Sequence, residues 1–454
     1  MGDYLDEAMK QAKARARIRS KLDKQTRQVT PLATTPELPP PPGFFPIAPT
    51  TNEAAGLDDA FVHALILKHL AENPGRTGQQ ISQSLAIPRQ PTDALLQEMK
   101  LRKQVVHRGA TATGDFVYDL AEEGIRRARL LQDQARYAAE APVPLEHYLE
   151  SVHAQSLSGV VPTAADLNLA LEDLEIDEAM KRRLGPALAS REGLFLYGPP
   201  GNGKTSIAKR LNASFSGHVF IPRYVLAHGS LLRIFDPLVH EEASDPLDAA
   251  RRLDPRWVRC RRPCVVSGGE LTLDALDIQF DPQLGVSEAP LQLKANSGTL
   301  VLDDFGRQRV SATDLLNRWI VPMEQRVDYL RLPGGKSIEV PFDTFVIFST
   351  NLDPADLVDE AFLRRIPYKV HVGDPDEATF RRLLAYHAAH HQLQMEDHAI
   401  DYLIETHFQD RPMRFCHPRD LIRQIRDRCA FTEEDPVVSP SALDEAVNTF
   451  FARL

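Results

Sequence analysis

The sequence predicts an α/β protein in which a parallel sheet is followed by a helical region and preceded by a small α+β domain. From about residue 166 to residue 373, apolar strand-like runs alternate with helical segments, which is the pattern of a parallel sheet. One strand, Leu194–Tyr197, leads directly into a glycine-rich loop and then a helix. From residue 374 to residue 454 the pattern is helical. Together these observations predict a phosphate-binding α/β domain followed by a helical region, residues 374–454.

The composition is that of an ordinary globular protein. The chain has 454 residues, of which 43% are hydrophobic and 26% are charged, enough for two or three domains. The net charge of −10 gives no support for a protein that coats nucleic acid. No apolar run approaches membrane-spanning length, so we expect a cytoplasmic protein without membrane insertion. Cys260 and Cys264 have a C-x3-C spacing, and we favour reduced thiols over a zinc site.

Residues 1–57 are predicted to be a disordered tail. Residues 8–27 are strongly basic, and the Pro-rich run that follows is typical of an extended linker. We favour a solvated tail over an arm that docks on a partner or on nucleic acid.

Residues 58–136 predict a winged-helix domain, because three helical segments precede an alternating hairpin pattern and a final helix. Acidic and basic side chains nearly balance, and the third helix carries Asp93 and Glu98 beside Lys100. A DNA-reading helix normally presents Lys and Arg to phosphates, so we favour docking on a protein, with DNA as the alternative. Residues 137–165 are interpreted as a linker or collar.

The glycine-rich loop has the spacing of a P-loop in its required strand–loop–helix context. The glycines let backbone N–H groups face phosphates, Lys204 can reach the β/γ oxygens, and the Thr205 hydroxyl can bind Mg²⁺. The residues predicted to bind the nucleotide here are Gly198, Pro199, Pro200, Gly201, Asn202, Gly203, Lys204, Thr205 and Ser206.

Four further segments follow in order. "LVLDDF" ends in Asp303 and Asp304, and "FVIFSTN" is an apolar strand that ends at Asn351. "DEAFLRRIPYKVHV" carries two adjacent arginines, and "HPRDLIRQI" begins a helix in the predicted helical region. Parallel strands place their functional residues at their carboxyl ends, so the acids and Asn351 are expected beside the P-loop.

The motifs and their order, over about residues 166–450, resemble those of AAA+ ATPases. The resemblance implies ATP and Mg²⁺, with Thr205 and Asp303 at the metal, and Asn351 as the sensor 1 residue. It also implies that Arg419 contacts the nucleotide from the lid. Arg364 or Arg365 would be the arginine finger, reaching a neighbouring subunit in a ring, and the resemblance implies a hexamer. Two adjacent arginines cannot both face one site, so at least one is expected to have a structural role.

Two hairpins are predicted within the α/β region. Alternating runs flank Pro333–Lys336 just before the Asn351 strand, an arrangement that resembles the clade of MoxR-like ATPases and enhancer-binding activators. A second hairpin is predicted around Asp281 and Pro282, and a substrate-facing role and a structural edge role are equally supported.

Asp304 stands where the AAA+ pattern usually has Glu. Asp is one methylene shorter, and such a misplacement of a water-orienting carboxylate can cost about 100-fold in rate. We still expect slow hydrolysis, because the other site residues are retained, and we expect Asp304→Glu to keep or raise the rate. Glu324 and Glu270 are less favoured substitutes for the base.

The favoured function is an oligomeric ATPase that remodels a protein partner. The winged-helix domain would recruit this partner, which is either the client itself or an adaptor. The alternative is a DNA-associated AAA+ protein, such as a transcription activator or a transposition or replication helper. A third interpretation is a nucleotide-gated switch that binds ATP without turnover.

Overall fold

A five-stranded parallel sheet forms the centre of the computed structural model, which describes residues 43–112, 114–357 and 360–451. The predicted basic segment 8–27 lies outside the described residues. The helices are α1 Asp59–Glu72, α2 Gly78–Leu85, α3 Arg89–Leu101, α4 Glu122–Gln134, α5 Leu145–Ala154, α6 Ala164–Ala170, α7 Glu178–Ser190, α8 Lys204–Asn212, α9 Leu291–Lys294, α10 Ala312–Gln325, α11 Pro354–Leu357, α12 Glu360–Leu363, α13 Glu377–His390, α14 Ala399–His407, α15 Cys416–Thr432 and α16 Pro440–Phe450.

The strands are β1 Arg76–Thr77, β2 Val105–Ala110, β3 Phe116–Leu120, β4 Val143–Pro144, β5 Leu194–Tyr197, β6 His218–Pro222, β7 Tyr224–Ala227, β8 Ser230–Arg233, β9 Trp257–Arg261, β10 Cys264–Ser267, β11 Gln279–Asp281, β12 Val286–Glu288, β13 Gly298–Leu302, β14 Val327–Arg331, β15 Ser337–Pro341, β16 Thr344–Thr350, β17 Tyr368–His371, β18 Gln394–Met395 and β19 Val437–Val438.

The central sheet has the strand order β10-β13-β16-β5-β17, and all neighbouring strands are parallel. Every residue of β13 and β16 is buried, as expected for inner strands covered on both faces. The order places β16 between the P-loop strand β5 and the acidic strand β13. The predicted α/β class, a P-loop sheet followed by a helical lid, is confirmed.

The region predicted as a winged helix contains α1 to α4 and a three-stranded antiparallel sheet in the order β1-β3-β2. Its core is a single apolar cluster that includes Ile66, Leu96 and Tyr118. Gly124 of α4 lies so close to the backbone of Gln104 that an added Cβ would be 2.0 Å from the Gln104 carbonyl oxygen. Close packing of α4 on the start of β2 therefore requires glycine there.

The described end of the predicted tail, residues 43–57, is packed against the rest of the chain, which corrects the prediction of disorder up to residue 57. Phe44 lies edge-on to Trp257 with ring centroids 5.5 Å apart, and Phe45 lies edge-on to Phe220 at 5.4 Å. Ala55 is fully buried in the core of the N-terminal domain. Burial of these apolar side chains offsets the entropy of ordering the segment.

The interpretation of residues 137–165 as a linker or collar also needs correction, because the segment is built into the fold. It contains β4, which pairs with β7, and α5, which packs on the hairpin of β14 and β15. The guanidinium of Arg256 is 3% exposed and donates to the carbonyl oxygens of Ala55 and Pro142 at 2.7 and 3.2 Å. One buried side chain therefore joins three segments that are remote in sequence.

Four strands from the residues between α8 and β13, together with β4, form a second, mixed sheet in the order β11-β12-β8-β7-β4, beside the antiparallel pair β6 and β9. Both predicted hairpins are confirmed as hairpins: β14 pairs with β15, and β11 with β12. The turn of the second one accepts hydrogen bonds from the backbone N–H groups of Arg136 and Tyr137 at 3.3 and 3.0 Å. That contact with the N-terminal domain favours its structural edge role.

The helical lid consists of α13 to α16 and the short pair β18 and β19, around one apolar core. Among the described residues, no helix is both long enough and apolar enough to cross a membrane.

Candidate functional site

The P-loop connects β5 to the N-terminus of α8, as its spacing predicts. Gly198, Gly201 and Gly203 have φ angles of 136°, 86° and 77°, in the region that L side chains rarely adopt. These angles turn the loop around the helix N-terminus, where free backbone N–H groups and the helix dipole favour an anion. The loop therefore has the backbone of a phosphate site.

The side chain of Lys204 is buried under this loop, with 6% of the residue exposed. Its Nζ atom donates to the carbonyl oxygens of Gly198 and Pro199 at 2.9 and 2.8 Å, and to Oδ1 of Asn351 at 2.6 Å. Burial lowers the pKa of Lys204 below its ordinary value, and the carboxylates of Asp303 and Asp304 act in the opposite direction. The ammonium group is thus held under the loop by three hydrogen bonds.

Thr205 and Asp303 meet across the cleft. The Thr205 hydroxyl lies 2.9 and 2.7 Å from the two carboxylate oxygens of Asp303. A hydroxyl and a carboxylate are the hard oxygen donors that Mg²⁺ prefers. In the described part of the chain, no group of three or more His, Cys, Asp or Glu side chains could hold a metal by itself. The pair therefore fits an ion that takes its other ligands from water and phosphate.

Asp304 and Asn351 form the second polar pair. The Nδ2 atom of Asn351 donates to Oδ1 of Asp304 at 3.2 Å, so Asn351 joins Lys204 to Asp304. Asp304 is exposed to the cleft, and its φ angle is +49°. Asp and Asn adopt this left-handed conformation more readily than Glu does, because their short polar side chains are tolerated there.

The cleft around these groups has a volume of about 580 Å³ and lies between the sheet and the lid. Arg419 of α15 lies on its wall. The Arg419 side chain is 60% exposed, and its Nε atom donates to Asp420 at 2.7 Å. Apolar side chains from both sides of the cleft complete the wall, including Leu174, Ile176, Met180 and Leu383.

A direct contact between lid and P-loop was missed by the sequence interpretation. Asn202 is 3% exposed, donates to Asp374 at 2.7 Å and accepts from the backbone N–H of Phe415 at 3.3 Å. Arg414 donates to the carbonyl oxygen of Pro200 at 3.1 Å. These partners are between 172 and 214 residues apart in sequence, so no local pattern could have indicated them.

The two arginines after α12 differ in their surroundings. Arg365 forms an ion pair with Glu324 of α10, and Arg364 is exposed. Glu324 and Glu270 do not line the cleft. The Glu270 carboxylate accepts from the backbone N–H of Gly268 at 2.8 Å, which lowers its pKa. Neither glutamate is placed to replace Asp304.

The cysteines of the C-x3-C spacing are free thiols. Cys260 is buried in β9, and Cys264 is partly buried in β10. Burial raises the pKa of Cys260 to about 12 and that of Cys264 to about 11. Both thiols are therefore protonated near neutral pH.

The fold is that of a P-loop α/β protein, with a strand–loop–helix unit in a parallel sheet and a helical region after it. A family profile described as "Domain of unknown function (DUF8689)" matches residues 376–449, which covers most of the lid. No curated protein matches the sequence.

Two solved structures illustrate the similarity of fold. NtrX from Brucella abortus is 14% identical with a TM-score of 0.40, and the match covers 62% of this chain and 56% of that chain. The RuvB Holliday junction branch migration motor from Thermotoga maritima is 13% identical with a TM-score of 0.35, covering 62% and 71%. The chain thus spans just over half the length of NtrX. At these values the likeness carries no functional argument.

Proposed function

We propose that this chain is an Mg²⁺-dependent AAA+ ATPase that binds ATP and hydrolyses it to ADP and phosphate. One observation carries the proposal: residues from the ends of three adjacent parallel strands and the P-loop helix meet in one cleft. Lys204 contacts Asn351, Asn351 contacts Asp304, and Thr205 contacts Asp303. A phosphate-binding lysine, a hydroxyl–carboxylate pair and a second carboxylate are the groups that phosphoryl transfer to water requires.

The residues are given the following roles. Lys204 and the P-loop N–H groups bind the phosphates, and Thr205 and Asp303 hold Mg²⁺, which supplies charge neutralisation when bound. Asp304 accepts a hydrogen bond from the attacking water, and the amide of Asn351 fixes the direction of that carboxylate. Arg419 contacts the nucleotide from the lid.

We further propose that the active form is a ring, with a hexamer as the expected size. The support is the position and exposure of the two arginines: both directly follow α12, Arg364 is exposed at the surface, and Arg365 is partly buried beside Glu324. Arg364 is therefore our candidate for the finger that reaches a neighbouring subunit, where an arginine can contribute about 1,000-fold or more in rate.

Mixing two inactive variants tests the ring. Lys204→Ala chains and Arg364→Ala chains should regain part of the activity when mixed, because some interfaces then combine an intact P-loop with an intact finger. Arg365→Ala serves as the matched control and should keep most of its activity alone. No recovery in mixed rings whose formation is verified by mass measurement would argue against a finger supplied between subunits.

The partner is proposed to be a protein, docked on the N-terminal domain. Several of that domain's arginines already have acidic partners: Arg102 pairs with Glu98, and Arg108 with Asp119. This reduces the charge available for phosphates and supports a protein client or adaptor. A pulldown with Asp304→Asn, which should hold ATP without turnover, tests this, with Lys204→Ala as the control that should not retain the partner.

DNA association remains the second candidate, because the segment 8–27 is strongly basic. A titration with duplex DNA at varied salt decides between the two candidates. Specific affinity with a steep salt dependence would favour DNA, since neutralised phosphates release counterions. Weak affinity with little salt dependence would favour the protein partner.

A further inference from the structure

The turn that carries both carboxylates is held from outside the cleft by one side chain, Gln308. Its Nε2 atom donates to the carbonyl oxygen of Asp303 at 2.9 Å, and its Oε1 atom accepts from the backbone N–H of Gly306 at 2.8 Å. Gln308 does not line the cleft. A primary amide is suited to this double contact, because it presents one donor and one acceptor in one plane.

The middle of the same turn is fixed in the protein core. Phe305 is fully buried, its backbone N–H donates to Ser349 at 2.7 Å, and its carbonyl oxygen accepts from the Thr350 hydroxyl at 2.8 Å. Its ring packs beside Phe348 with centroids 5.0 Å apart. The turn is thereby joined to β16, the strand that delivers Asn351.

These contacts leave little freedom for residue 304. Asp304 lies between a residue whose carbonyl is held by Gln308 and a residue whose backbone is held by β16. Its φ angle of +49° lies in the left-handed region, which few non-glycine residues adopt and which Asp tolerates better than most. The direction of the Asp304 carboxylate therefore depends on the hydrogen bonds at both ends of the turn.

We propose that Gln308 is a positioning residue for hydrolysis. By its hydrogen bonds to the backbone of Asp303 and Gly306, it holds the turn from Asp303 to Gly306 and so sets the direction of the Asp303 and Asp304 carboxylates. The inference rests on the proposed ATPase function and deepens it. Gln308 acts through the backbone, so its removal should leave the phosphate contacts of the P-loop intact while the two carboxylates shift.

The test compares Gln308→Ala and Gln308→Glu with Gln325→Glu, a control on the exposed end of α10. Gln308→Glu keeps the acceptor for Gly306 and replaces the donor to Asp303 by an oxygen, so it removes half of the contact at constant size. Both Gln308 variants should lower kcat by about 10- to 100-fold, as expected for a misplacement of about 1 Å. At saturating Mg²⁺, KM for ATP should stay within about threefold, because the P-loop contacts with the phosphates are unchanged.

The Mg²⁺ requirement supplies a readout that a purely structural role would not change. The Mg²⁺ concentration at which ATPγS affinity is half-maximal should rise several-fold in the Gln308 variants, because Asp303 is displaced from Thr205. Affinity for the nucleotide without Mg²⁺ and the thermal midpoint should remain near those of the parent and of Gln325→Glu.

The possible failures are distinguishable. If the parent releases no phosphate, the proposed function is wrong, and the Mg²⁺ requirement for ATPγS binding alone decides the role of Gln308. If kcat and the Mg²⁺ requirement of the Gln308 variants equal those of the parent, Gln308 does not position the carboxylates. If kcat falls, KM rises and the thermal midpoint falls in the same variants, Gln308 has only a structural role, which also overturns the inference.

Discussion

The side-chain oxygen of Asn351 lies 2.6 Å from the ammonium nitrogen of Lys204. This contact follows from the strand order, because β16 lies between the P-loop strand and the acidic strand. The amide nitrogen of the same Asn351 donates to Asp304. One side chain therefore connects the cation proposed to bind phosphate with the carboxylate proposed to orient water.

Replacing Lys204 should remove most of the affinity for ATP. Lys204→Ala should weaken ATP affinity on the order of 100-fold and abolish turnover, because a charge-assisted contact with phosphate is lost. Calorimetric titration with ATPγS measures the affinity. Lys209→Ala, an exposed lysine of the same helix, should bind as the parent does. Unchanged affinity in Lys204→Ala would contradict the phosphate-site assignment.

The backbone at Asp304 changes the expectation for Asp304→Glu. Side-chain length alone predicts that Glu keeps or raises the rate, but Glu at a φ angle of +49° carries a strain on the order of 1 kcal/mol and redirects the carboxylate. We now expect Asp304→Glu to hydrolyse ATP more slowly than the parent. Asp304→Asn should bind ATP and stall, since Asn keeps the shape and the backbone preference but loses the charge. Single-turnover phosphate release distinguishes the two variants. An Asp304→Glu variant faster than the parent would show that the φ angle at residue 304 does not limit Glu there.

Arg419 should contribute to nucleotide binding from the lid. It lines the cleft, whereas Arg423 of the same helix is 67% exposed and does not. Arg419→Ala should weaken ATPγS binding on the order of tenfold, the typical value of a charged hydrogen bond, while Arg423→Ala should have little effect. Equal losses in the two variants would show a general charge effect in place of a specific contact.

Much of the site could be predicted because its parts are local in sequence. The spacing of Gly198, Gly203 and Lys204 encodes the loop, and an apolar strand ending in acids indicates Asp303. The conformation of Asp304 could not be predicted, since it depends on Gln308 and on the burial of Phe305. The packing of residues 43–57 was missed for a similar reason: a Pro-rich composition indicates extended chain but does not show which buried surface the following Phe44 and Phe45 will find.

The stability of the lid should depend on the protonation of His417. This residue is 6% exposed and lies among the rings of Phe408, Phe450 and Phe451. Its Nδ1 atom accepts a hydrogen bond from the backbone N–H of Arg414 at 3.2 Å. Burial and, to a smaller extent, the positive charge of the nearby Arg414 together lower the pKa of His417 from 6.5 to about 4.

The folded state therefore binds this proton less readily than the unfolded state. Its contribution to stability is complete above pH 6.5 and is lost as the pH falls towards about 4. The thermal midpoint of the parent should fall more between pH 7 and pH 5 than that of His417→Gln, which cannot be protonated. His153→Gln, at an exposed position, should behave as the parent does. An equal fall in parent and His417→Gln would show that other groups determine the pH dependence.

The most direct test of the central claim is phosphate release by the purified chain, measured with and without Mg²⁺ over a range of protein concentrations. The account predicts slow, Mg²⁺-dependent release of phosphate from ATP, absent in Lys204→Ala, with a specific rate that rises as chains assemble. ATP binding without any phosphate release, at concentrations where rings have formed, would contradict it and favour a nucleotide-gated switch.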